Sequence, residues 1–176
     1  MVGVASEPTV TVGQGPSALL ERRLLRHADV MTIEPRTGLT ILSANECWAL
    51  LRAAEVGRLV VAVDNHPDIF PVNHIVDHGT IVFRTAEGTK LAAATLGVAV
   101  AFEVDGYDAP AGDAWSVVIK GTALEIQQAG ELFDALYLPL FPWHAAPKHR
   151  FVRIEPTELS GRRFHVVDST AWSTAP

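Results

Sequence analysis

The chain has 176 residues, of which 48% are hydrophobic and 19% are charged, and its formal net charge is −6. This composition is typical of one folded domain with a sizeable core, and it excludes a disordered chain. The acidic balance argues against a nucleic-acid-binding protein, which usually carries a basic excess. The single cysteine, Cys47, excludes an intramolecular disulfide and a multi-cysteine zinc site.

The hydropathy pattern contains no membrane span and no export signal. No apolar run reaches the roughly 18 residues that a spanning helix needs. The first residues have neither a basic start nor an apolar signal core. We therefore expect a cytoplasmic protein without a membrane partner.

The chain divides by composition into three parts. Residues 1–40 form a polar extension, punctuated by glycine and proline, that we expect to be partly mobile with a short helix over 18–30. Residues 41–170 carry the regular hydrophobic patterns and form the predicted domain, and residues 171–176 are a short tail.

A helix is predicted at the start of the domain. Ser43 and Glu46 have the spacing of a capping box, and Leu42 can pack against Cys47 as a hydrophobic staple. Cys47 also falls on the apolar face of this helix, so we expect a buried thiol rather than a nucleophile. Gly57 is placed to end the helix.

Beyond Gly57 the hydrophobic period changes from helical to alternating. The short connections between the alternating runs require antiparallel hairpins. Helices are predicted over 88–97 and from 130 to Pro139. The predicted strands cover 58–64, 69–77, 80–85, 98–108 and 114–127, with one or two more over 149–168. Six or so long strands in this order favour a mainly β protein with short helices, built as an antiparallel split β-barrel, because closure removes exposed sheet edges.

The stretch FRTAEGTK predicts an anion site where a strand leads into a helix. Arg84 and Thr85 end the strand, and Gly88, Thr89 and Lys90 open the helix. Backbone N–H groups at a helix start, together with cationic and hydroxyl side chains, hold a phosphate well. The alternative is that Thr89 caps the helix while Arg84 and Lys90 face solvent.

The strand one hairpin earlier contributes a second part of the predicted site. Asn73 and His74 are polar residues within an otherwise apolar run. Pro71 indicates a sheet edge or a bulge, where backbone groups stay open to a ligand. A flat heteroaromatic ring along this strand could accept hydrogen bonds from those groups.

With both parts in view, residues 42–166 resemble the pyridoxamine 5′-phosphate oxidase-like flavoproteins. The most specific motif is F-x-T-x-x-G-x-K at Phe83, Thr85, Gly88 and Lys90. The P-V-N run at 71–73 and the W-S-V-x-x-x-G run at 115–121 support it. The branch that it resembles most contains the Nim-type 5-nitroimidazole resistance proteins.

The resemblance implies a split barrel of six antiparallel strands that forms a homodimer with two FMN sites at its interface. It also implies that the flavin transfers electrons to or from a small organic substrate. Trp143 would cover the ring from the other chain, although packing of its own loop is the alternative. The remaining implied cofactor-binding residues are Arg84, Thr85, Gly88, Thr89 and Lys90 around the phosphate, Val72, Asn73 and His74 along the isoalloxazine, and Trp115 and Ser116 near the flavin.

Two departures from the family pattern limit what is carried over. Arg84 stands where the Nim-type pattern tends to have histidine, so chemistry attributed to that histidine is not assigned. The substrate-binding C-terminal pattern of true pyridoxamine phosphate oxidases is also missing. No side chain is an obvious general acid or base, and His74 is the best candidate for a proton donor.

Two alternatives therefore stay open. One is a non-catalytic protein that binds flavin or haem for sequestration or sensing, and the other is a deazaflavin-dependent reductase on the same fold. A metal site is not predicted, because neither the pair His74 and His78 nor the pair His144 and His149 has a recognised ligand spacing.

Overall fold

The computed structural model of the chain describes residues 32–35, 37–86, 97–140 and 148–167. These ranges contain eight strands and two helices. In chain order they are β1 (Thr32–Ile33), β2 (Thr40–Ile41), α1 (Ala44–Ala53), β3 (Val56–Val63), β4 (His66–Asp77), β5 (Thr80–Thr85), β6 (Ala99–Asp108), β7 (Asp113–Glu125), α2 (Ala129–Leu136) and β8 (Arg150–His165). The helices predicted over 18–30 and 88–97 lie outside the described residues. None of the described helices is long and apolar enough to cross a membrane.

Six of the strands close into an antiparallel ring in the order β3-β4-β5-β8-β7-β6. Strand β8 closes it, because residues 150–154 pair with β5 and residues 152–165 pair with β7. The one or two strands predicted over 149–168 are thus a single strand of 16 residues, Arg150–His165. The far end of this strand also pairs with β2. The predicted split barrel of six antiparallel strands is confirmed.

Alternation along the strands separates the barrel interior from its outer face. The interior holds fully buried side chains from every side of the ring, among them Leu59, Phe83, Phe102, Ile119 and Ile154. A second apolar cluster forms outside the ring, where α2 covers β5 and β8. It consists of Val82, Ile126, Ala135, Leu140 and Phe151. The barrel wall near β5 is therefore apolar on both faces.

Helix α1 begins with the predicted capping box. The Ser43 hydroxyl accepts a hydrogen bond from the Glu46 N–H at 3.3 Å, and the Glu46 carboxylate accepts one from the Ser43 N–H at 2.9 Å. Cys47 is buried as predicted, and burial raises the pKa of its thiol to about 11. A thiol in that state is inert at neutral pH.

The predicted end of α1 was wrong. The helix ends at Ala53, and Gly57 is the second residue of strand β3. A Cβ on Gly57 would lie 2.1 Å from Cζ of the buried Phe102 ring. Glycine is needed there for close packing inside the barrel, and it does not act as a helix stop. Helix α2 likewise ends at Leu136, before the Pro139 boundary that the sequence predicted.

Candidate functional site

Strand β4 turns its predicted site residues to two different faces. Val72 and His74 are buried in the barrel, with 6% and 4% of their surface exposed. Asn73 stands between them, so its side chain is on the outer face of the wall. Only one of the three predicted ring-lining side chains therefore points outward.

The His74 ring joins β4 to helix α1 from inside the barrel. Its Nε2 lies 3.0 Å from the Leu51 carbonyl oxygen, which can only accept, so Nε2 carries the proton. The ring meets Phe102 edge-on at 4.8 Å between centroids, and among the described residues Nδ1 has no hydrogen-bond partner. Burial lowers the pKa of His74, so the ring is neutral at pH 7. The one N–H of the ring is engaged by a main-chain carbonyl, which disfavours proton donation to a ligand. The role of His74 as a proton donor stays a prediction.

Arg84 lies on the outer face of β5, where its neighbours fix its guanidinium. Nε donates a hydrogen bond of 2.8 Å to the Lys148 carbonyl. Cζ lies 4.8 Å from the centroid of the Phe151 ring, which belongs to the residue paired with Arg84 across the sheet. Among the described residues these contacts involve Nε and the plane of the guanidinium and leave its two terminal nitrogens for an anion. Thr85 points the other way and is 2% exposed.

Asn73 and Arg84 share the outer face at the place where β4 and β5 lie side by side. His74 pairs with Phe83 across the two strands, and Asn73 and Arg84 are the next residues on each strand. An amide and a fixed guanidinium thus stand on adjacent strands, as a ligand with a phosphate and a polar ring would require.

A cleft of about 450 Å³ opens beside this pair, between the end of α1, the middle of β4 and the segment that follows α2. One wall carries the charged side chains Arg52 and Glu55, and the opposite wall is apolar. A volume of this size suits an aromatic ligand with a few polar anchors. The lining residues are Arg52, Ala54, Glu55, Asn73, His74, Ile75, Val76, Leu138, Pro139 and Leu140.

The other predicted site residues are not all brought to this cleft. Trp115 points into the barrel against Gly106, where a Cβ would come within 2.5 Å of the indole ring. Ser116, the next residue on β7, is on the outer face, and β8 separates that strand from β5. Gly88, Thr89, Lys90 and Trp143 lie outside the described residues. The assignment of these residues to a cofactor stays a prediction.

The sequence patterns missed several residues that form the cleft. Arg52 lies in the last turn of α1, where a cation commonly complements the helix dipole. Glu55 lies in the short connection between α1 and β3. Leu138 and Leu140 follow a short helix. Only tertiary contacts place them beside Asn73 and Arg84.

Comparison with known proteins identifies the family of this fold and cleft. The family model described as pyridoxamine 5′-phosphate oxidase matches residues 43–163. The chain belongs to this family. Its membership confirms the resemblance that the motifs around Phe83 and Trp115 indicated.

Three relatives of this family member are informative. The FAD-binding protein of Mycobacterium smegmatis is 44% identical with a TM-score of 0.67, and the match covers 73% of this chain and 100% of that chain. An FAD-binding protein of Mesorhizobium loti is 26% identical with a TM-score of 0.58, over 71% of this chain and 96% of that chain. An uncharacterised protein of Mycobacterium tuberculosis is 35% identical over 133 residues, which is 73% of this chain and 86% of that protein.

Proposed function

We propose that the chain binds a flavin nucleotide at the cleft and acts as a flavin-dependent oxidoreductase on a small organic substrate. The observation that carries this proposal is the fixed guanidinium of Arg84 on the strand next to Asn73, which lines the cleft. Family membership and the two relatives named as FAD-binding proteins support it.

The described residues fit a flavin. A phosphate needs cationic and hydrogen-bonding groups, and Arg84 presents its terminal nitrogens from a position held by the Lys148 carbonyl and Phe151. The isoalloxazine needs a flat, largely apolar space with a polar edge, and the cleft combines Ile75, Leu138 and Leu140 with charged residues at one wall. A bound flavin would supply two-electron transfer, while the protein positions the ring and tunes its electronics.

The choice between FMN and FAD belongs to this proposal. The family resemblance implied FMN, and the Arg-Thr and Thr-Lys pairs favoured its single terminal phosphate over a deazaflavin cofactor. The relatives named as FAD-binding proteins make FAD an equal candidate for this chain. Both nucleotides therefore enter the first binding experiment.

The same proposal includes a homodimer. The family resemblance implies sites formed at a subunit interface, and Ser116 lies on an outer face away from the cleft of its own chain. A second copy could bring Ser116 to the cleft of its partner. This arrangement would reconcile the implied role of that residue with its position in one chain.

The experiment is a titration of the purified protein with FMN and with FAD, followed by flavin fluorescence. Arg84→Gln removes the charge and should weaken binding by about tenfold or more, since hydrogen bonds to charged groups are worth about 1.5–3 kcal/mol. Arg84→Lys should recover only part of the affinity, because lysine cannot reproduce the fork of two nitrogens. Lys120→Gln, at an exposed lysine on β7 whose Nζ lies 2.9 Å from the Glu158 carboxylate, is the charge control.

Equal affinity of the wild type and Arg84→Gln for both flavins would contradict the assignment of Arg84 to the phosphate. Loss of affinity in the control as well would show a general charge effect.

A further inference from the structure

Arg52 and Glu55 are two charged side chains on one wall of the cleft. Both residues are exposed, and both line the cleft. Within the described part of the chain neither side chain takes part in a hydrogen bond or an ion pair, not even with the other. A cation and an anion three residues apart thus face the same space without contact.

Their backbone is held in place from both sides by His74. The ring donates from Nε2 to the Leu51 carbonyl at 3.0 Å, and the His74 main-chain N–H donates to the Glu55 carbonyl at 3.2 Å. The helix itself closes with a hydrogen bond of 3.0 Å from the Ala54 N–H to the Leu50 carbonyl. The two charged side chains therefore extend from a fixed segment, which limits the entropy lost when a ligand binds.

A solvated helix end accounts for only one of the two residues. Arginine in the last turn complements the partial negative charge at the C-terminus of a helix, but a carboxylate just beyond that end is disfavoured by the same field. A ligand that accepts hydrogen bonds at one point and donates at a neighbouring point accounts for both. The guanidinium has only donors, and the ionised carboxylate has only acceptors.

We propose that Arg52 and Glu55 recognise the imide edge of the flavin ring, in which an N–H stands between two carbonyl groups. Arg52 donates to a carbonyl oxygen and Glu55 accepts from the imide N–H. This inference rests on the proposed function and assigns the orientation of the ring within the same cleft. Asn73 pairs with Val56 on one side and borders the strand of Arg84 on the other, so the imide anchors and the phosphate anchor lie on opposite sides of β4.

The test compares FMN with N3-methyl-FMN, in which a methyl group replaces the imide proton, or FAD with N3-methyl-FAD if the wild type binds only FAD. The wild type should bind FMN about tenfold more tightly than the methylated analogue, as expected for one hydrogen bond to a charged acceptor. Glu55→Ala should bind the two flavins with equal affinity. Arg52→Gln should weaken both by a similar factor, and Lys120→Gln should bind both as the wild type does.

The reduction potential of the bound flavin gives a second readout, independent of any substrate. A cation at the carbonyl edge stabilises the negative charge of the reduced ring, so Arg52→Gln should shift the potential to a more negative value. Lys120→Gln should leave it unchanged.

The outcomes separate the inference from the function on which it rests. Equal binding of both flavins by the wild type, or discrimination that survives in Glu55→Ala, would overturn the imide assignment and leave the flavoprotein intact. A wild type that binds neither FMN nor FAD would overturn both.

Discussion

His74 and Arg84 lie on neighbouring strands but face opposite sides of the barrel wall. The alternation of side chains along a strand makes this unavoidable once Phe83 is buried and paired with His74. The polar pair Asn73-His74 was recognised in the sequence, yet the pattern could not show which of the two turns inward. The acceptor that makes a buried histidine tolerable, the Leu51 carbonyl, is 23 positions away.

The strand position of Arg84 was predictable from the local sequence, but its contacts were not. Its place at the end of a strand followed from the hydrophobic pattern and the Arg-Thr pair. Its fixed orientation depends on Lys148, which is 64 positions away, and on Phe151 across the sheet. No periodicity in the sequence reports such contacts, so only the residue type was predictable.

The buried ring of His74 predicts a pH dependence of stability. Burial lowers its pKa below the ordinary value of 6.5, so the unfolded chain takes up a proton at a pH where the folded chain does not. The free energy of unfolding should therefore fall as the pH decreases through about 6.5. His74→Gln keeps an N–H donor for the Leu51 carbonyl but does not titrate, so this variant should lose less stability between pH 7.5 and 5.

Urea unfolding at several pH values measures this difference. Parallel curves for the wild type and His74→Gln would show that the ring does not carry the effect.

Among the elements, β8 determines how the barrel is split. Residues 152–154 of β8 pair with β5 and β7 at once, and residues 162–163 pair with β7 and β2. Between these two parts the register with β7 shifts at Lys120/Gly121, where Gly121 faces Pro156 and Thr157 is the additional residue on β8. A bulge bends a strand, which lets one long strand leave the ring and take a new neighbour.

Gly121 was recognised in the sequence as part of the family motif, but the motif does not explain why a glycine is required there. A Cβ at this position would lie 2.1 Å from the Glu155 carbonyl oxygen, which belongs to the backbone of β8. The strands themselves were predictable from their alternation, whereas the bulge was not, because it depends on the register between two strands. Pro156, which cannot donate to a ladder, was the only local sign of it.

Gly121→Ala should therefore destabilise the barrel. Overpacking against a backbone atom costs about 1–3 kcal/mol, and neither strand can move without breaking the closure. The matched control is Gly130→Ala in α2, where no atom lies within 4 Å of the new Cβ and the stability should stay unchanged or rise by up to about 1 kcal/mol. Thermal or urea unfolding of both variants checks this, and equal stability of the two would refute the role of the close approach.

At the scale of the whole molecule, the fold creates the cleft by bringing three distant parts of the chain together. Helix α1 is held against β4 by His74, and the segment after α2 reaches the same strand through the apolar cluster with Val82 and Phe151. The family motifs predicted the barrel and the proximity of the strands that carry Asn73 and Arg84. They did not predict the walls of the cleft, because those walls are formed by residues of ordinary type.

The central claim is that this barrel carries a flavin, and one experiment tests it most directly. The purified wild type is incubated with FMN or FAD and passed over a size-exclusion column with absorbance and light-scattering detectors. The proposal predicts that flavin absorption bands elute with the protein at twice the chain mass of 19.0 kDa. A protein peak without flavin bands after both incubations would contradict the claim, whatever its mass.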